Sequence, residues 1–224
     1  FPTRRSSDLM GPVLILANGE PPSADLLRRR AAECGLFVCT DGAAAAALAA
    51  GLRPDLVVGD LDSLDDATLA QLGEVEVLGL AEQETTDLEK AIYTLLARGA
   101  QEVLVLGAGG RRWDQFHANL SLFARYAHRL VIRAEDDWGR LVMAVPATTT
   151  RIDEPVGAMV SLLPMPIAEG VTTTHLRWPL DGARLALGGR LGVSNEVTQS
   201  PAAVAFTAGG LAVYTVNRHH HPAR

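Results

Sequence analysis

Cysteine is scarce in this chain, positive charge is outnumbered, and no apolar run is long enough to cross a membrane. Cys34 and Cys39 are the two cysteines. So few exclude a disulfide scaffold, and their spacing matches no metal knuckle. They read as small buried thiols of a reducing compartment. Lys and Arg number 20 against 26 acidic residues, a net charge of −6. That excludes a nucleic acid or an anionic membrane held by bulk charge. A polyphosphate partner would then need a local Arg/Lys cluster or a metal ion. The apolar run VLILA (13–17) follows Arg4 and Arg5, yet it is shorter than the 7–15 residues of a signal-peptide core. A cytoplasmic protein is expected. Phe1–Leu9 (FPTRRSSDL) reads as a non-native or disordered leader with Met10 as the start, and His219–His221 as a frayed tail (218–224) rather than a metal site.

What is present is ample apolar material: 48% of 224 residues are hydrophobic, enough for one large domain or two small ones. Up to about residue 138, short apolar runs alternate with helical patterns. VLILA precedes a helix from Ser23, an N-cap, to Cys34, with Gly35 as stop. LFVCT (36–40) leads through Asp41-Gly42 into an alanine-rich helix ending near Gly51. LVV (56–58) ends in an acidic turn, VEVL (75–78) follows a short helix, and Thr86–Arg98 repeats apolar residues at helical spacing. VLVLGAGG (103–110) runs into a glycine-rich turn and a helix near Trp113–Tyr126, and LVIRA (130–134) closes the series. This pattern predicts a parallel sheet covered on both faces, an α/β/α domain over 10–138. Beyond it, RLVMAV, AMVSLLPM, GVTTTHL, ARLAL and AVAFTAGGLAVYTV read as turn-separated strands of an antiparallel β-sandwich or barrel over 139–217. The boundary falls at Asp136-Asp137-Trp138-Gly139.

Ligands of open α/β sheets collect beyond the carboxyl ends of the strands. Four polar clusters occur at such ends: Asp41-Gly42, Gly59-Asp60-Leu61-Asp62-Ser63, Thr86-Asp87 with Lys90, and Gly107–Asp114. Each has a plainer reading. Asp41-Gly42 alone is a turn, Thr86 with Glu89 is a capping box, and Asp87 with Lys90 is a helix-surface pair. The acidic turn resists such a reading, because like charges two apart in extended backbone share one side and repel. Mg²⁺ takes one or two carboxylates plus phosphate oxygens, which turns that repulsion into attraction. Gly59 would let a phosphate approach the backbone. In GAGGRRWDQFHAN (107–119), glycine N–H groups such as that of Gly110, with a helix N-terminus, suit phosphate. Arg112 could clamp it bidentately and Asp114 complete a metal shell. The segment lacks the Walker spacing and a clean G-x-G-x-x-G.

Taken in order, DGAAAAALAAGLRPDLVVGDLDS, TDLEKAI, GAGGRRWDQFHANL, VSLLPM, LRWPL and GVSNE resemble the thiamine pyrophosphokinase family, from Met10 to about Val216. The resemblance implies an α/β domain followed by a β-sandwich. It implies transfer of a pyrophosphoryl group from ATP to thiamine with Mg²⁺, giving AMP and thiamine diphosphate, and a homodimer with thiamine at the subunit interface. By the same resemblance, Asp41, Asp60 and Asp62 belong to the acidic cluster that holds Mg²⁺ and triphosphate. Asp87 and Lys90 match the T-D-x-x-K element, Arg112 and Asp114 the G-G-R-x-D segment, and Asn119 the A-N pair after it. Trp178, Ser194 and Asn195 match segments near thiamine. The expected site therefore sets Asp60, Asp62, Asp87, Lys90, Arg112 and Asp114 on the reacting phosphates, with Mg²⁺ on Asp60, Asp62 and Asp87. Asp41, Gly59, Ser63, Thr86, Gly110 and Asn119 bind the nucleotide. Three positions depart from the family pattern: Gln115 replaces a histidine, and Arg111 and His175 each replace a glycine.

The chemistry so implied is positioning and charge stabilisation, with Lys90 and Arg112 neutralising charge on the transferred group and departing AMP. Trp178 would contact cationic thiamine by a cation–π attraction of about 0.5–2 kcal/mol, or else fill the β core. Ser194-Asn195 reads otherwise as a turn pair. Three rivals remain: a pyrophosphokinase for a pterin alcohol, a catalytically silent nucleotide- or thiamine-binding module, and a Mg²⁺-dependent phosphohydrolase.

Overall fold

The computed structural model describes residues 11–217. The leader, Met10 and the histidine tail fall outside that range. The chain divides into two compact units, one running up to Leu122 and including Arg129–Asp137, the other comprising Phe123–His128 and the chain from Trp138. Among the described residues no helix is long and apolar enough to cross a membrane.

The first unit is built on six parallel strands: β1 (Val13–Leu16), β2 (Leu36–Thr40), β3 (Leu56–Gly59), β4 (Glu76–Gly79), β5 (Glu102–Leu106) and β6 (Val131–Glu135). Their order is β4-β3-β2-β1-β5-β6, with β1 paired to both β2 and β5 in parallel register. Every residue of β1, β2 and β3 is buried, the mark of strands covered on both faces. Leu14, Leu16, Phe37, Cys39 and Val57 pack with Leu27 of α1 (Ala24–Glu33) and Ala44 and Ala47 of α2 (Ala44–Ala49). The chain continues through α3 (Asp66–Leu72), α4 (Asp87–Ala97) and α5 (Trp113–Tyr126), and α4 packs on β2 and β3. Local caps set the helix starts. Ser23 Oγ accepts from Leu26 N–H, Asp65 from Thr68 N–H, and Thr86 Oγ1 from Glu89 N–H. At its other end α1 is tied by Arg30, which donates to both carboxylate oxygens of Glu135 at 2.7 and 2.9 Å.

Because the strands run outward from β1 to β4 and then return to β5 on its other side, the order reverses between β1 and β5. Ligand crevices open at such switch points.

The second unit is antiparallel: β7 (Gly139–Ala144), β8 (Thr149–Ile152), β9 (Met159–Thr174), β10 (Ala183–Ala186), β11 (Gly192–Glu196), β12 (Ala202–Ala205) and β13 (Ala208–Val216). The order is β7-β13-β9-β12-β8, with β10 and β11 also paired to β9. The segments AMVSLLPM and GVTTTHL, expected as two strands, are one 16-residue strand, while AVAFTAGGLAVYTV is two. Proline cannot donate within a ladder, and the β9–β13 register shifts where Pro166 lies, between the Pro164↔Leu211 and Ala168↔Gly209 pairs. Gly170 (φ +64°) follows, where a Cβ would stand 2.6 Å from Thr207 Oγ1. Past it β9 leaves the β13 ladder and pairs with β12. Both ladders close on one core that includes Val160, Leu162, Val171, Leu185, Val204, Phe206 and Leu211.

Candidate active site

The carboxyl ends of β2 and β3 and the start of α4 bring Asp41, Asp60 and Asp87 together, with one carboxylate oxygen of each within 4.8 Å of the others. Asp41 is buried, 2% exposed. Its Oδ1 accepts from Gly42 N–H (2.6 Å) and its Oδ2 from Leu61 N–H (3.0 Å). Burial, then the charge of Asp87, push its carboxyl above the usual range despite those bonds. Asp60 goes the other way: Gln83 Nε2 donates to it at 3.0 Å and holds its carboxyl below the usual range, helped by Asp62 N–H.

Asp62 does not join this cluster. Leu61 has φ +70°, so the backbone between Asp60 and Asp62 is not extended. Asp62 lies exposed, accepts from Ser63 Oγ at 3.0 Å, and lends its N–H to Asp60. Its expected place is taken by Asp41. Gly59 also differs from expectation. A Cβ there would lie 2.4 Å from Asp41 Cγ, so this glycine makes room for the buried aspartate.

Lys90 is only 1% exposed and its Nζ donates to Asp87 Oδ1 at 3.2 Å. Burial pulls its ammonium pKa down. The Asp87 bond and the charges of Asp87, Asp60 and Glu82 outweigh that, so the net shift is upward and the charge is kept.

Beside this cluster, at the β1/β5 switch point, lies a cavity of about 300 Å³. Asn18 and Gly19 form one wall, Thr40, Thr86 and Asp87 another, and the turn Ala108–Arg112 with Gln115, Phe116 and Asn119 a third. The glycine turn is fastened to the β1 loop by Gly19 N–H donating to Gly107 O and Glu20 N–H to Gly109 O, both at 2.8 Å. Buried Asn119 donates to Ala108 O at 2.8 Å, supporting the same turn from α5. Arg112 and Asp114 pair with each other on the exposed rim (Nε to Oδ1, 3.1 Å), each stabilising the other's charge. Asp114 is thus held by Arg112 and is not one of the clustered carboxylates. Arg111 reaches Asn18 Oδ1 at 3.4 Å. Its φ is +46°, and that of His175 is +59°. Both stand where the resembling pattern has glycine, and both keep a backbone that glycine adopts without strain.

Asn18, Gly19 and Gln83 were not singled out from the sequence. Asn18-Gly19 carries a signal in retrospect, an Asn-Gly pair at the end of a buried strand. Gln83 carries none, since its role depends on a loop meeting Asp60 across 23 positions.

In the second unit, Asn195 is buried and spans the Trp178 segment. Its Oδ1 accepts from Trp178 N–H (3.1 Å) and Glu196 N–H (2.9 Å), and its Nδ2 donates to Trp178 O (2.7 Å). Trp178 is 52% exposed, with the Arg177 guanidinium 5.2 Å from a ring centroid. It is therefore not a core tryptophan. Ser194, at φ +57°, donates its N–H to Ser161 Oγ at 3.0 Å.

A doubly wound α/β unit with an acid cluster and a cation-rimmed cavity at its switch point, followed by an antiparallel β unit, is the architecture of a class built to hold a phosphorylated ligand. The chain belongs to the thiamin pyrophosphokinase family. Residues 27–133 match the model of the thiamin pyrophosphokinase catalytic domain, and 149–211 that of its vitamin B1 binding domain. It is 30% identical over 180 residues to thiamine pyrophosphokinase 1 of Oryza sativa subsp. japonica, covering 74% of this chain and 66% of that protein. It is 25% identical over 181 residues to thiamine pyrophosphokinase of Bacillus subtilis, covering 78% of this chain and 84% of that one. The crystal structure of thiamin pyrophosphokinase from Geobacillus thermodenitrificans superposes with a TM-score of 0.80 at 27% identity, over 93% of this chain and 98% of that one. The chain thus spans just under two thirds of the rice relative's length.

Proposed function

We propose that this chain is a thiamine pyrophosphokinase, transferring the pyrophosphoryl group of ATP to the hydroxyethyl oxygen of thiamine to give thiamine diphosphate and AMP. The observation that carries the reading is the cluster Asp41, Asp60 and Asp87 with buried Lys90 on its edge. Three converging carboxylates, one of them desolvated and raised in pKa, suit a hard divalent cation. Asp41, Asp60 and Asp87 would hold Mg²⁺, which when bound would neutralise charge on the phosphate chain. Asp62, exposed beside Asp60, is left to contact water or phosphate-bound solvent. Lys90 keeps its proton and offers N–H donors to phosphate. Arg112 and Arg111 stand at the cavity rim, where release from Asp114 and Asn18 would turn them onto phosphate oxygens. The α5 N-terminus and the Gly109–Gly110 amides favour the same anion. Trp178 would take the flat cationic rings of thiamine, with Asn195 holding its backbone and Ser194 beside it.

We further assign a homodimer with thiamine at the subunit interface and, from the two free thiols, a cytoplasmic location. Exposed Leu187, Leu191 and Val193 offer apolar surface to a second copy. Sedimentation showing a monomer at micromolar concentration would overturn the dimer, and a secreted fluorescent fusion would overturn the location.

Product analysis with purified protein, Mg·ATP and thiamine tests the activity. Equal AMP and thiamine diphosphate, lost in Asp60→Ala, is expected. ADP with thiamine monophosphate would overturn the reaction type, and phosphate release without acceptor would indicate a hydrolase. ATP binding with no thiamine product would favour the pterin-alcohol enzyme or the silent module.

A further inference from the structure

Thr40 ends β2, paired in register with Val58 of β3, and is only 2% exposed. Among the described residues its Oγ1 is the one buried side-chain oxygen or nitrogen with no hydrogen-bond partner. Buried hydroxyls are ordinarily satisfied, and leaving one unpaired is costly. Threonine is not required here for shape, since valine has the same branching and is equally at home in a strand. The residue lines the switch-point cavity with Asn18, Asp87 and Gly110. The ligand chemistry of that cavity is set by its other donors: Arg111 and Arg112 on its rim, backbone amides of the glycine turn, and the starts of α4 and α5. All of these favour an anion. A hydroxyl can rotate its hydrogen toward such a group and donate.

We infer that the Thr40 hydroxyl is a ligand contact, donating to a phosphate oxygen of the nucleotide bound in this cavity. This rests on the nucleotide reading proposed above and adds a binding residue to it. The hydroxyl is then unpaired only while the cavity lacks its ligand. Binding supplies the acceptor, so the hydroxyl contributes to affinity without giving up a bond of its own within the protein.

Removing the hydroxyl should act in opposite directions on the free and bound protein, which a purely structural threonine would not do. Thr40→Val and Thr40→Ser are compared with the wild type by thermal unfolding without ligand, and by calorimetric titration with Mg·ATP and with magnesium tripolyphosphate. Ligand-free Thr40→Val should unfold at the same temperature as wild type or higher. It should bind both polyphosphates roughly tenfold more weakly, as the loss of one hydrogen bond implies. Thr40→Ser should bind within a factor of about two of wild type. Undiminished Mg·ATP binding by Thr40→Val would overturn the inference, as would a lower unfolding temperature without ligand. A loss seen with Mg·ATP but not with tripolyphosphate would overturn the phosphate contact. Wild-type protein that is folded yet binds no Mg·ATP would overturn the nucleotide reading itself.

Discussion

The two units bury polar side chains for opposite ends. In the β unit, Asn195 spends its amide on three backbone groups, Thr173 Oγ1 accepts from Leu180 N–H at 2.8 Å, and Ser161 Oγ accepts from Ser194 N–H. These bonds are closed within the chain and shape the loop that presents Trp178. In the α/β unit, the buried polar residues Thr40, Asp41 and Lys90 crowd the strand ends with like charges close together and a hydroxyl unpaired. Satisfied groups specify a shape, whereas crowded groups carry a free-energy cost that a cation and phosphate can relieve. The α/β unit is therefore expected to respond to ligand with a large change in stability, and the β unit with a small one.

The sharpest test removes a crowded charge. Asp60→Ala should lower kcat/KM by about 10³-fold while leaving ligand-free stability unchanged or raised; a large drop in Tm instead would break the contrast. Gly59→Ala should approach that loss by displacing Asp41, read as a missing Mg²⁺-induced rise in Tm. On the other side, Trp178→Ala should raise the KM for thiamine about 2- to 30-fold, from a cation–π contribution of about 0.5–2 kcal/mol. Its titration with Mg·ATP should stay at the wild-type value. Asn195→Ala should cost about 1–3 kcal/mol of stability by orphaning buried backbone groups, visible in denaturant unfolding, with a smaller rise in thiamine KM. The smallest effect is one of pH. Asp41 has a folded pKa raised above its unfolded value of about 3.9, so between those values the native state binds more protons than the unfolded one. Its contribution to ligand-free stability therefore falls as pH rises through that window. A bound cation requires the carboxylate, so the Tm gain from saturating Mg²⁺ should grow as pH rises through that same window. A gain independent of pH would remove Asp41 from the metal set.

Periodicity and capping revealed the scaffold. Ser23 and Thr86 cap the helices expected of them, and the buried runs VLIL and LFVCT are central strands. The acid cluster was legible only in part. Asp60 and Asp87 lie at strand and helix ends that local patterns locate, but the left-handed turn at Leu61 removes Asp62 and brings no signal of its own. By local pattern alone Asp41 read as a turn residue, and only the family resemblance put it in the acidic cluster, because its burial depends on Gly59, in another strand. The β9 strand was hidden for a similar reason. AMVSLLPM and GVTTTHL read as separate segments, and only the register shift opposite β13 shows how one ladder passes Pro166.

That long strand also governs when the β unit can fold during synthesis. β9 has its partners β10 and β11 close by, but its longest ladder is with β13, and β7 must wait for Val216 to meet Gly139. Pairings so distant in sequence form late. The α/β unit has most of its sheet by Glu135, so on the ribosome it folds while the β unit is still an open chain. Force measurements on stalled nascent chains should show two separate folding events, the second after residue 216 has emerged, and a single late event would refute this order.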